Sequence, residues 1–400
     1  MRVCAAGPVS FSPLPVAAGP PPAARLRAAL RRAAPALVVF GAARATGLLL
    51  MSLWAWQGGR HPRSVLALEW DGRWYYRIVE WGYHLPADSV PLPGFASEKL
   101  AFFPLYPGLI RVVDAVLPIG DLNAALFISW VSAGVAAWGI YAIGELLYGR
   151  RTGIALVLLW GLLPHAIVLT MAYAEPLMTA FAAWALYAVL TRRWLAAGTL
   201  AALAGLARPN GIAVAAAVSV AVTAIAWRRH RAHEPQDGHA WIGAALAPLG
   251  WLGYIAWVGV QTGDPLGYFA IESRWGSRFD FGQYAAHYIA GLVTGRNRLA
   301  VYAAVAIVGV SLLLLVLAVL DRVPLPLLVY TAVLTLIALG GTDYFQSKPR
   351  FLLPAFPLLI PLAIALSRAR PRTACLAVAA LASISFFYGT YLLLVSPLAP

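Results

Sequence analysis

The chain has 400 residues, of which 61% are hydrophobic and only 12% charged. That balance excludes an ordinary soluble globular domain, which carries about twice the share of charge, and it leaves lipid as the solvent. The 30 basic side chains outnumber the 16 acidic ones, for a net charge of +14, yet the arginines sit in small clusters between apolar runs. One long basic face is missing, so nucleic acid is not the expected partner.

Residues 1–24 hold a single charge, Arg2, with six prolines and no apolar segment leading to a cleavage site. Residues 1–33 are therefore expected to be a disordered cytoplasmic tail, ahead of a single transmembrane domain at 34–395. A crossing needs about 20 mostly apolar residues. Candidate runs are 34–56, 122–147, 153–172, 174–190, 194–207, 211–227, 240–260, 299–320, 323–340, 351–367 and 373–395. The expectation is an all-α polytopic membrane protein of about 11 transmembrane helices.

Basic clusters alternate along these runs: Arg25, Arg27, Arg31 and Arg32, then Arg150 and Arg151, Arg192 and Arg193, Arg228 to Arg231, Arg322, and Arg368 to Arg372. Arginine-rich ends stay in the cytoplasm. The N-terminus is then cytoplasmic, and the long loops 57–121 and 261–298 face outward. Twelve of the 16 acids fall on that outer side, so the reaction is sought there. Only Lys99 and Lys348 are lysines; with abundant Ala, Gly and Pro this points to a GC-rich genome and a bacterial plasma membrane.

In the first outer loop, Trp70, Trp74, Ile78 and Trp81 recur at helical spacing with charges between them, which describes an interfacial amphipathic helix. Leu105 to Leu117 is a second such piece. The loop 261–298 is crowded by Tyr268, Phe269, Trp275, Phe279, Phe281, Tyr284 and Tyr288, so it too should lie at the membrane surface.

The leading chemical candidate is Trp70-Asp71-Gly72-Arg73-Trp74-Tyr75. An acid at the start of an interfacial helix lies at the depth of a lipid headgroup. Asp71 is then either a general base or simply an N-cap within an aromatic belt. Glu175, before Pro176, is either a site residue or first-turn capping chemistry. Arg208 and Asn210 interrupt two apolar runs, where the arginine either clamps a phosphate or marks a turn. Lys348 and Arg350 either bind an anion at a helix start or snorkel. Arg44, near the middle of the first run, is costly unless paired or facing a polar pathway. His165, after Pro164, reads as a packed kink residue. Two cysteines, Cys4 and Cys375, supply no disulfide framework. Phosphate-loop, dinucleotide, HExxH and GxSxG signatures are missing from the sequence, so no cofactor and no metal is expected.

With these residues assembled, the chain resembles the mannosyltransferase family that includes the second mannosyltransferase of GPI-anchor synthesis and its bacterial relatives, within the GT-C class of multi-span glycosyltransferases. The resemblance rests on W-D-G-x-W-Y (70–75), W-G-Y (81–83), F-F-P-L-Y-P (102–107), A-Y-A-E-P (172–176), A-R-P-N-G (207–211) and K-P-R-F-L-L-P-A-F-P (348–357). Departures fall at Ala174 and Phe351, where the family commonly carries Ser and Tyr.

The resemblance implies a GT-C-like bundle, a polyprenyl-phosphate-linked mannose donor, an extracytoplasmic active site and Asp71 as the base. The acceptor is then a glycolipid, a glycan or a protein at the membrane lipid surface. Lys348, Arg350, Arg208 and Arg73 are the expected donor-phosphate ligands. Trp70, Trp74, Tyr75, Phe103, Tyr106, Glu175 and Asn210 are the expected substrate contacts. The competing readings are a transporter or lipid flippase, for which Arg44 is the chief feature, and a noncatalytic scaffold.

Overall fold

A computed structural model describes residues 22–83, 98–292 and 297–399. The expected tail divides: residues 1–21 lie outside the described residues, while α1 runs over Pro22–Gln57, so 22–33 are helical. A proline at the first turn suits this start, because the N–H it lacks would be unpaired there anyway.

Short amphipathic helices follow, α2 (Pro62–Leu68), α3 (Asp71–Trp81) and α4 (Leu105–Val116). The two interfacial pieces fall where the apolar spacing puts them. Then come α5 (Asp121–Tyr148), α6 (Arg150–Gly161), α7 (Glu175–Leu190), α8 (Trp194–Ala207) and α9 (Ile212–Arg231). After α10 (Gly238–Leu246) and α11 (Leu249–Thr262), the second long loop carries α12 (Gly267–Arg274) and α13 (Gln283–Leu292). The chain ends with α14 (Leu299–Leu320), α15 (Leu325–Gly340), the turn α16 (Lys348–Phe351), α17 (Ile360–Arg368) and α18 (Pro371–Leu394). The fold is thus an all-α, multi-pass membrane architecture. Among the described residues, sheet pairing is confined to one antiparallel bridge between Phe279 and Gly341.

The eleven expected runs are all helical in part, but they are not eleven full spans. Among the described residues, six helices are long and apolar enough to cross, or seven with the broken pair Phe345–Phe351 and Phe356–Arg368, which bends by 81°. The helices α7, α8 and α15 have 16, 14 and 16 residues, which at 1.5 Å per residue fall short of a core about 30 Å thick. The run 153–172 stops as a helix at Gly161 and continues as a 3-10 turn at Ala166–Thr170, because Pro164 cannot continue the backbone ladder. In the run 351–367, Pro354 falls in the second break, where it cannot continue the backbone ladder.

Helices without water between them approach through small residues. A Cβ on Gly198 would lie 2.3 Å from the carbonyl oxygen of Gly243, so α8 and α10 touch backbone to backbone. Their alanine-rich neighbours α5, α7 and α9 make up the buried centre. By contrast α14 turns Val310, Leu313, Val316 and Leu320 outward, where lipid is the matching solvent. Arg44 is buried among the described residues without an acidic partner; its Nη1 donates to the Ala166 carbonyl at 2.6 Å. It satisfies a carbonyl freed by the break after α6.

Candidate active site

The site begins at the α2–α3 junction. Trp70 has φ 53° and ψ −117°, a conformation that costs a bulky residue on the order of 1–3 kcal/mol and is kept only where its surroundings impose it. Gly72 explains the imposition: a Cβ there would meet the Ala67 carbonyl oxygen at 2.3 Å, so only glycine lets α3 start hard against the end of α2. The Asp71 N–H donates to the Tyr173 hydroxyl at 3.3 Å, and the Ala172 N–H donates to the Leu66 carbonyl at 2.9 Å. Two motifs distant in sequence are thereby sewn together. Trp70, not Asp71, occupies the N-cap position, which leaves the Asp71 carboxylate free to face other groups.

Those groups are two arginines. Arg350 Nη1 lies 3.2 Å from Asp71 Oδ2, and Arg208 Nη1 lies 3.7 Å from the same oxygen. Behind them Glu175 receives both cations, with Arg208 Nη1 at 2.7 Å from Oε2 and Arg350 Nε at 3.4 Å from Oε1. Acids and guanidinium groups alternate, so the set is close to neutral and each charge is compensated in a dry place. Exposure divides it sharply. The side chain of Glu175 is 2% exposed, those of Arg350 and Arg208 are 7% and 11%, and that of Asp71 is 17%, so Asp71 is the most accessible member.

The contacts are close enough for ion pairing yet misaligned for hydrogen bonds. Both Glu175 oxygens, Arg208 Nη1, and Nε and Nη1 of Arg350 are buried without a hydrogen-bond partner. Unmade charge-assisted bonds in such a place are costly. Arg350 is held sideways by ring faces, with Cζ 5.3 Å from the Tyr173 ring and 5.0 Å from that of Phe351.

Other expected site residues are placed differently. Lys348 is not brought to the cluster: it is buried, and Nζ donates to the carbonyls of Ala338 at 2.8 Å and Gly341 at 2.6 Å. Its charge is used on the open carbonyls at the end of α15. Arg73 is exposed, away from the two buried arginines. Tyr106 is fully buried, its hydroxyl shared with the Ala125 carbonyl and Ser129, and Phe103 is packed at 4.3 Å against Tyr254. Tyr75 is buried as well, edge-on to Phe102 and Tyr106. These three rings support the site from below. Trp70, Trp74 and Asn210 are half-buried and reachable.

Three residues enter that were not among the expected site residues. Tyr173 bridges the Asp71 backbone and Arg350. Trp275, from the second long loop, stands edge-on to Trp74 with ring centres 5.1 Å apart and to Phe102 at 6.0 Å. Glu272, one helical turn earlier, accepts a hydrogen bond from Tyr268 at 3.0 Å. Burial raises its carboxyl above the usual range against that hydrogen bond, and it feels the charges of Arg208 and Asp71. Tyr173 lies within the A-Y-A-E-P motif, whereas the sequence signal for Trp275 and Glu272 was the aromatic crowding of loop 261–298.

No known family profile matches the chain, and no curated protein matches it. Among solved structures, the oligosaccharyltransferase of Archaeoglobus fulgidus in complex with zinc and sulfate is similar at a TM-score of 0.46 and 16% identity, over 89% of this chain and 52% of that one. Its apo form gives 0.46 and 14%, over 90% of this chain and 55% of that one. This chain spans about half the length of that enzyme.

Proposed function

We propose that this protein is a membrane glycosyltransferase of the GT-C type that moves a mannosyl residue from a polyprenyl-phosphate donor to an acceptor hydroxyl on the extracytoplasmic face. The observation that carries the reading is a partly accessible Asp71 carboxylate set against two buried arginines whose N–H donors lack aligned partners. A guanidinium offers five donors in a planar fork, so one edge can hold Asp71 while another takes a phosphate oxygen.

In the proposed displacement Asp71 accepts the proton of the acceptor hydroxyl, and the acceptor oxygen attacks the anomeric carbon. The bond from that carbon to the phosphate oxygen breaks, and polyprenyl phosphate departs with the electron pair. Attack opposite the leaving group inverts the anomeric centre. Arg208 and Arg350 face the charge that develops on the phosphate, and because they are fixed in a dry site they stabilise it without reorganising. Glu175 is too buried to touch a substrate and acts as a positioning residue for the two cations.

A lipid-linked donor also needs room for its tail. A cavity of about 270 Å³ runs beside Pro349, the neighbour of Arg350, between Leu159, Leu163, Leu314, Leu352 and Leu362. Its apolar wall suits an isoprenoid chain. His165, whose two ring nitrogens are buried and unpartnered, stands in the same wall.

The test is transfer from a radiolabelled polyprenyl-phosphate mannose by purified protein in nanodiscs. Asp71→Asn keeps the shape and removes the base, so transfer is expected to fall by about a hundredfold or more. Transfer at the wild-type rate would sink the base assignment.

A further inference from the structure

We infer that the second long loop supplies a carbohydrate-binding subsite beside Asp71, formed by Trp74 and Phe102 on one side and Trp275 and Glu272 on the other, which receives the acceptor as a sugar. The inference rests on the glycosyltransferase reading and gives the acceptor a chemical class: a glycan or glycolipid headgroup rather than a protein side chain.

A pyranose presents one face of C–H bonds and a rim of hydroxyls, so a site that holds it combines aromatic surface with a few fixed polar groups. Both halves are here. Trp74 stacks on Phe102 with centres 5.7 Å apart and planes 17° from parallel, and Trp275 closes the corner edge-on to both. All three rings are half-buried, so part of each remains accessible. Trp74 lies one helical turn after Asp71, which makes the aromatic corner continuous with the base.

The polar half comes from α12. Trp275 Nε1 is buried and has no hydrogen-bond partner among the described residues; an indole N–H is a donor that seeks one when buried. Glu272 accepts hydrogen bonds from Tyr268 at 3.0 Å and from Ser277, and a carboxylate has about four acceptor positions, so capacity remains for a hydroxyl. Glu272 lies one helical turn before Trp275, so the two share one face of α12, and burial raises its carboxyl above the usual range. The loop is held there by the Thr342 N–H, which donates to the Arg278 carbonyl at 2.7 Å, and by the Asp280 N–H, which donates to the Gly340 carbonyl at 2.8 Å. A serine or threonine acceptor in a peptide would leave both the indole N–H and the aromatic corner unused.

Direct binding tests this apart from catalysis. Protein in lipid nanodiscs is titrated with methyl α-mannopyranoside, and with n-pentanol as a hydroxyl lacking a sugar face, following tryptophan fluorescence. The mannoside is expected to quench saturably and pentanol not to. Trp275→Phe, which keeps a ring and removes the N–H, and Glu272→Gln, which keeps the shape, are each expected to weaken binding about tenfold. Loss of transfer in Asp71→Asn is read in the transfer assay and loss of sugar binding in the loop variants is read by titration, so the two readouts are separate. Quenching equal for both ligands, an unresponsive wild type, or wild-type affinity in both loop variants would overturn the subsite while leaving the transfer reaction to be judged by its own assay.

Discussion

Glu175 and Lys348 are both lost to solvent, and what each charge faces separates their roles. Glu175 sits between two guanidinium groups at the site, whereas the Lys348 ammonium faces the carbonyls of Ala338 and Gly341. An ammonium bonded to two carbonyls at a helix end closes that end, much as a cap does. Lys348→Met is accordingly expected to cost about 1–3 kcal/mol of stability by leaving those carbonyls unpaired. In detergent its Tm should fall while the KM for the lipid donor stays at the wild-type value. A raised donor KM with an unchanged Tm would return Lys348 to the phosphate site. Sequence placed Lys348 and Arg350 together because they are two residues apart; the tight turn of α16 points them at different partners, and no spacing rule reads that.

Among the elements, the short ones govern the chemistry. The helices α2 and α3 owe their angle to contact at Gly72, and the angle aims Asp71 at Arg350. Gly72→Ala would force a methyl group within 2.3 Å of the Ala67 carbonyl, so α3 must move. The expected cost is about 1–3 kcal/mol, with loss of most transfer activity although no catalytic side chain is changed. Activity assays beside a thermal melt check it; wild-type turnover would show that the junction tolerates movement. The amphipathic spacing of 70–81 made α3 legible, and the glycine in its motif was visible too. The reason for the glycine was not, since it lies in a carbonyl five residues back brought close by the folding of the junction. The break after Phe351 follows the same logic: apolar composition predicts a span, and Pro354 interrupts it just beyond Arg350.

For the molecule as a whole, orientation decides whether the site can meet an exported lipid-linked sugar. The proposed topology puts the start of α3 outside, and Arg73 is exposed there without sharing in the buried cluster. In a background with both cysteines replaced, Arg73→Cys is expected to react with a membrane-impermeant maleimide in intact cells as fast as in permeabilised cells. Labelling only after permeabilisation would invert the topology and remove the proposed donor from reach.

What the sequence determined by itself was the solvent, the helical class and the candidate residues Asp71, Glu175, Arg208 and Arg350, because hydropathy and the cost of charge near lipid act on each segment separately. Which charges neutralise one another, which aromatics are fully buried and which stay half-exposed, and that Trp275 packs against Trp74 were decided only in the tertiary structure. Pairing energies and burial are properties of groups that meet in space, and these come from segments that no local pattern connects.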